Sequence, residues 1–187
     1  KELKKIQNVY KEQSILMIGY NRRYSNLIKK LREKLLTISS PKAFIYTCNA
    51  GELAPNHWLN DVSVGGGRLI GEACHFVDLL RFLANSPIIE MNINEIKDLK
   101  KTAENFSINI RFENNSIGTI HYFSNGHKGY PKERIEVFTE GKIFQLDNFR
   151  SLKTWGVSGF KRNKNIFYQD KGQLNCIKSF IHAIRNG

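Results

Sequence analysis

The spacing of apolar residues changes period along the chain. In "LKKIQNVYKEQ" Leu3, Ile6 and Tyr10 recur at the interval of an amphipathic helix, with Val9 beside them. "SNLIKKLREKLL" repeats that interval with Leu27, Leu31 and Leu35 on one stripe and Lys and Arg opposite; Ser25 or Asn26 is placed to cap it, and Ser39 to Pro41 to end it. Between them "SILMIGY", Ser14 to Tyr20, is a continuous apolar run whose length and Ile content predict a buried strand, as in a parallel sheet. "KAFIYTCNA" alternates Phe44, Tyr46 and Cys48 as a strand does, a turn-rich loop follows, and "RLIGEACHFVDLLRFLANS" returns to helical spacing. From there the period is two. "NFSINIRF" and "IGTIHYFSN" predict a hairpin turning at Asn114–Asn115, and "ERIEVFTEGKIFQLDNF" a second turning at Glu140–Gly141. "SLKTWGVSGF" and "NKNIFYQ" read as paired edge strands. "GQLNCIKSFIHAIRNG" reads as a last helix with Leu174, Ile177, Phe180, Ile181 and Ile184 on one face. The order predicts an α+β fold: an open, mostly antiparallel β-sheet with helices on one face, preceded by a short α/β piece.

Composition supports a packed domain. Hydrophobic residues are 41% and aromatics 11% of 187 residues, enough for a core, and no apolar run approaches a membrane span. The start, "KELKKIQNVYKEQ", lacks the apolar stretch of a signal peptide. Three scattered cysteines argue against both a disulfide framework and a zinc site, and fit a reducing cytoplasm. The net charge of +12 invites a nucleic-acid reading, but the basic residues run from Lys1 to Arg185 without a concentrated tract, so neither nucleic acid nor membrane is expected as a partner. The chain opens on Lys rather than Met and closes in helical spacing, which reads as a piece of a longer protein.

The candidate chemistry concentrates in "VGGGRLIGEACHFVDLLRFL", Val64 to Leu83. Its glycines have neither the Lys-Ser/Thr of a P-loop nor the G-x-G-x-x-G spacing of a dinucleotide turn. They suit a loop needing positive φ or close approach, either simply tight or offering amides to an anion at a helix start. Glu72, His75 and Asp78 step by three, with Arg68 four before Glu72, so α-helical spacing puts them on one side. Such an edge is either a stripe of surface ion pairs or an imidazole poised for proton transfer beside carboxylates. No further ligand stands at metal spacing, so no metal is expected. A second cluster, "GYNRRYS", offers Asn21, Arg22 and Arg23 where the predicted strand meets a loop, as anion or hydroxyl anchors or as a solvated basic loop. In "APNHWLND", Trp58 is either a stacking surface for a sugar ring or a plug onto the core.

Taken together, "IGYNRRYSN", "NAGELAPNHWLND" and "GGGRLIGEACHFVDLLRFLANSPI" resemble the glucose–fructose oxidoreductase / inositol dehydrogenase / MocA family over nearly the whole chain, the glycine–histidine segment being the specific part. The resemblance implies that residues 1–21 are the tail of a dinucleotide-binding Rossmann domain, its last helix and strand. It implies that residues 22–187 are the substrate-binding and oligomerisation domain of an NAD- or NADP-dependent oxidoreductase acting on a sugar, nucleotide-sugar or polyol. His75 falls on the family's proton-transfer histidine. Glu72 would orient it or accept a substrate hydroxyl. Asn21, Arg22, Arg23, Trp58 and Arg68 would contact substrate, and Gly66 and Gly67 would let the nicotinamide approach. A homo-oligomer formed through the sheet is implied as well. Gly71 is a departure: many members carry an aspartate there, four residues before the histidine, whereas this chain has its acid one place later, at Glu72. That departure keeps a second reading open, a sugar-binding or oligomerisation module without catalysis.

Overall fold

The structure is a computed structural model describing residues 2–11, 14–54, 56–60, 64, 66–96, 104–159, 162–164 and 168–186. Pro55, residues 61–63, Gly65 and residues 165–167, which belong to segments singled out above, lie outside the described residues. The elements in order are α1 (Glu2–Val9), a 3-10 turn (Asn21–Tyr24), α2 (Asn26–Leu36), β1 (Ala43–Asn49), a 3-10 turn (Trp58–Asn60), a π-helical turn (Leu69–Ala73) and α3 (Cys74–Ala84). Then come β2 (Ile88–Glu95), β3 (Phe106–Phe112), β4 (Ile117–Phe123), β5 (Glu133–Thr139), β6 (Lys142–Asp147), β7 (Ser151–Trp155), β8 (Arg162–Lys164) and α4 (Gln173–Asn186).

The strands form one open sheet in the order β2-β3-β4-β1-β5-β6-β7-β8. Every described pairing is antiparallel except β1 with β4, which is parallel and lets β1 join the two hairpins into one sheet. Both predicted hairpins form, β3–β4 and β5–β6, with Asn115, Glu140 and Gly141 in the left-handed region their turns require. The β7–β8 pair is present at one edge. At the other edge stands β2, whose residues from Ile89 onward are exposed on both faces and carry no clean alternation; periodicity had not marked it.

The period of two decides the layers. Phe44, Tyr46 and Cys48 on β1, Phe106 to Phe112 at alternate places on β3, Ile120 and Tyr122 on β4, and Ile135 and Val137 on β5 are all buried on one face. Leu27, Ile28, Leu31 and Leu35 of α2 and Phe76, Leu79, Leu80 and Leu83 of α3 cover that face. The close approach of α3 requires Gly118, where a Cβ would stand 3.1 Å from Leu80 Cδ1. The start of α2 is satisfied by a distant residue rather than by the predicted caps: Ser25 Oγ makes no hydrogen bond, and the Asn26 amide donates to Asp170 Oδ2 at 3.2 Å.

The first twenty residues correct one expectation. α1 forms, but Ser14 to Tyr20 is not a strand: it belongs to no sheet, and Ile15, Leu16 and Ile18 are 44–63% exposed. A strand needs a neighbour to take its amides and carbonyls, and the eight described strands of the sheet lie elsewhere. The apolar face of α4 is likewise open, with Leu174, Ile177, Ile181 and Ile184 exposed and Cys176 its buried contact.

Candidate functional site

The site is built around the entry to α3. Gly66 and Gly67 adopt φ of 69° and 76°, and a Cβ on Gly67 would meet Glu104 Oε1 at 2.8 Å. The anion at this helix start is the chain's own: Glu104 Oε2 accepts the backbone N–H of Arg68 at 2.8 Å and of Leu69 at 3.2 Å. The first turn is π-helical, and α-helical geometry begins only at Cys74. Spacing drawn from 3.6 residues per turn therefore fails across it. Glu72, His75 and Asp78 acquire three different surroundings.

Under α3 the aromatic rings form a ladder. Phe76 stacks on Tyr46 at 4.6 Å and on Tyr122 at 6.1 Å, and Tyr122 stacks on Phe106 at 4.8 Å. The two tyrosine hydroxyls each meet a carboxylate. Tyr122 Oη donates to Glu72 Oε2 at 2.7 Å, and Arg68 Nη1 donates to Tyr122 Oη at 3.2 Å and to the Gly51 carbonyl at 2.8 Å. Tyr46 Oη donates to Glu133, whose fully buried carboxylate also accepts from Arg22 Nε at 2.8 Å and Nη2 at 3.1 Å and from Lys171 Nζ at 2.5 Å. Burial alone would raise the Glu133 pKa. The hydrogen bond and charge of Arg22, joined by those of Lys171, outweigh it and hold it at about 2. Burial, followed by the hydrogen bond to Glu72, pushes Tyr122 well above its usual value, so it remains a donor.

His75 stands half-buried beside these groups, its ring edge-on to Tyr20 at 5.5 Å. Nδ1 is buried and has no partner among the described residues. Burial first, then the positive charge of Arg22, lowers its pKa against the opposing pull of Asp78, Glu133 and Glu72, so the ring is held neutral. A neutral imidazole with an unengaged nitrogen can take a proton from a hydroxyl.

The residues nominated from sequence divide accordingly. Arg22 belongs to the Glu133 cluster, its guanidinium 4.9 Å from the centre of the Phe76 ring. Arg23 turns to another neighbour: its Nε donates to Asp78 Oδ2 at 3.0 Å, and its head lies 5.1 Å from the centre of Phe82. Asn21 holds the Lys171 carbonyl at 2.8 Å. Arg68 is buried and ties Gly51 to Tyr122. Trp58 is exposed and stacks on His57, while Leu59 beside it is buried. No described residue gives His75 a hydrogen bond, Glu72 included. No metal-binding group of His, Cys, Asp and Glu occurs among the described residues. Sequence reasoning missed Glu133, Lys171, Tyr46, Tyr122 and Glu104. Glu133 did leave a signal: in "ERIEVFT" it shares the inward parity of Ile135 and Val137, an unusual place for a charge.

Comparison with known proteins adds to this geometry. The family profile for the GFO/IDH/MocA C-terminal domain matches residues 40–144. The chain is 25% identical to myo-inositol 2-dehydrogenase of Thermotoga maritima over 97% of its own length and 58% of that protein. Among solved structures, a levoglucosan dehydrogenase in complex with NADH and levoglucosan superposes with a TM-score of 0.76 at 15% identity, over 97% of this chain and 60% of that one. A dehydrogenase from Clostridium difficile superposes at 0.67 and 17%, over 91% and 54%. This chain thus spans little more than half the length of these relatives. The matched profile, running from just before β1 into β6, and the open sheet roofed by α2 and α3 establish that the chain belongs to the GFO/IDH/MocA family and is its C-terminal domain.

Proposed function

We propose that this chain is the substrate-binding domain of an NAD- or NADP-dependent oxidoreductase that transfers a hydride to or from a sugar, nucleotide-sugar or polyol. The observation that carries the reading is His75, held neutral with Nδ1 unengaged beside Tyr20 and within the field of Arg22. His75 takes or returns the proton of the hydroxyl at the reacting carbon. Arg22 faces substrate from a position fixed by Glu133, and exposed Trp58 offers a ring on which a sugar can stack. Arg68 acts through Gly51 and Tyr122. A nicotinamide, when bound, supplies or accepts the hydride, and the positive-φ backbone at Gly66 and Gly67 leaves room for its approach. The chain contains no G-x-G-x-x-G turn, so the cofactor phosphates are held outside these residues, residues 1–21 being the tail of the domain that holds them. The exposed apolar residues of Ser14 to Tyr20, within that tail, and of α4 offer surfaces against which the rest of that domain packs. The described cysteines are free thiols, in keeping with a cytoplasmic protein.

The test is turnover by the complete protein with NAD or NADP against myo-inositol, levoglucosan and nucleotide sugars. His75→Ala is expected to lower kcat by ~10²–10⁴ with the fold intact. Wild-type turnover in that variant would favour the second reading, a binding module without catalysis. That Glu72 accepts its hydrogen bond from Tyr122 rather than from His75 is the observation on that side.

The uncovered face of the sheet supports an oligomer. Ile117, Ala43, Phe138, Ile143 and Trp155 lie side by side across β4, β1, β5, β6 and β7, an apolar row with Ile117, Phe138 and Trp155 exposed. Light scattering is expected to show an oligomer that Phe138→Glu dissociates; an unchanged mass in the variant would remove this face as the interface.

A further inference from the structure

A second site lies on the helix side of the sheet, where α2 and the end of α3 meet. A cavity of about 390 Å³ is lined by Arg23, Arg32, Arg81, Phe82, Asn85, Ser86 and Pro87, three guanidiniums and no carboxylate. Two of the arginines are fixed in place by their inner nitrogens. Arg32 donates from Nε to the Phe82 carbonyl at 3.2 Å and from Nη2 to Asn85 Oδ1 at 2.8 Å. Arg23 is held by Asp78 through Nε and Nη2. Both heads lie against the Phe82 ring, 4.4 and 5.1 Å from its centre. Asn85, whose Oδ1 holds Arg32, is itself locked in the left-handed conformation that closes α3.

The outer nitrogens are free. Nη1 of Arg23, Nη1 of Arg32 and the whole head of Arg81 have no hydrogen-bond or ion-pair partner among the described residues. Against three positive charges no described carboxylate lines the cavity, and Asp78, which pairs with Arg23, is already engaged. Gathering like charges around one cavity is unfavourable unless an anion joins them, and a concave wall of one sign concentrates that sign's field. Because two of the three heads are already immobilised, an anion entering the cavity costs little further side-chain entropy. Guanidinium forks match the oxygens of a phosphate group better than those of any neutral ligand.

We infer that this arginine-lined cavity is a binding site for a phosphate monoester dianion. The cavity takes the phosphoryl group, and the remainder of the molecule projects into solvent. The site shares only Asp78, through Arg23, with the surroundings of His75, and its test variants at Arg32 and Arg81 leave that pair intact, so its failure is distinguishable from failure of the catalytic reading.

Titration calorimetry with inorganic phosphate at about pH 8, where the second proton is lost, is expected to show saturable binding to one site. Sulfate should compete, and sodium chloride at equal ionic strength should not. Arg81→Ala, which removes a head that makes no hydrogen bond or ion pair with a described residue, should weaken binding at least about tenfold at unchanged melting temperature. Arg32→Lys, which keeps the charge and loses the fork, should weaken it as well. Glucose 6-phosphate and AMP distinguish the source of the phosphate. Both should bind where glucose does not, and the tighter of the two identifies the class of ester. Linear, non-saturating heats, or phosphate binding unaltered in both variants, would overturn the site.

Discussion

Glu133 on β5 and His75 on α3 both carry chemistry-bearing side chains partly or wholly removed from water. Their surroundings are opposite. Glu133 has three donors, two of them cationic, and no exposed surface. His75 has one buried nitrogen with no described partner. A buried polar group that is fully partnered is an anchor, because removing any one member strands the others. A polar group left unpartnered weakens the fold and is kept where something must come to it. The comparison separates the part of the site that holds shape from the part that meets substrate.

The largest test is Glu133→Gln. Side-chain shape is retained, but Arg22 and Lys171 lose their counter-charge, and the cost is expected at about 3–5 kcal/mol by urea denaturation. The same residue sets an acid limit. Its folded pKa of about 2 lies below the unfolded carboxylate value. Its contribution is therefore complete above about pH 4.3 and is lost as pH falls toward the folded value. The Gln variant should show a flatter acid limb; an equally steep one would mean that another carboxylate sets it.

Tyr122→Phe comes next. It keeps the stack on Phe76 and Phe106 but strips a donor from Glu72 and an acceptor from Arg68. The expected loss is about 1–2 kcal/mol. A loss equal to that of Glu133→Gln would erase the distinction between the two carboxylate clusters.

The smallest effect on stability should come from His75→Ala, within about 1 kcal/mol, in the variant expected to lose the most turnover. The pH dependence follows with the sign of its shift. The folded His75 pKa is depressed, so the neutral form is favoured in the fold, and a stability cost grows as pH falls below the unfolded value of about 6.5. The basic form should accordingly persist, and activity with it, to a pH below that value. A His75→Ala protein as destabilised as the Glu133 variant would show that the imidazole is a structural partner after all.

Much of this was legible in the residues. Alternation in β1 and β3 to β6 named the buried face, Asn114–Asn115 and Glu140–Gly141 named the turns, and the apolar stripe of α3 named its contact with the sheet. The glycine–histidine segment named the family before its geometry was known. What failed did so for identifiable reasons. Ser14 to Tyr20 has the composition of a strand, but composition cannot provide the neighbour a strand requires. α-Helical spacing aligned Glu72 with His75, yet across the π-helical turn Glu72 accepts a hydrogen bond from Tyr122 and shares none with His75. The consecutive Arg22 and Arg23 read as one clamp, yet one belongs to Glu133 and the other to Asp78 and Phe82.

By itself, then, the sequence determined the elements, the inward and outward parity of the paired strands, and the residue types available for proton transfer. These are properties of near neighbours in the chain, set by side-chain period and turn chemistry. Only the tertiary structure decided which charges meet. Glu133 finds Arg22 across 111 positions of sequence, Lys42 to Ser116 brings β1 alongside β4, and Glu104 caps a helix that begins 36 residues earlier. Such pairings depend on how distant strands register in the sheet, and it is they that leave His75 with a buried nitrogen that no described residue engages.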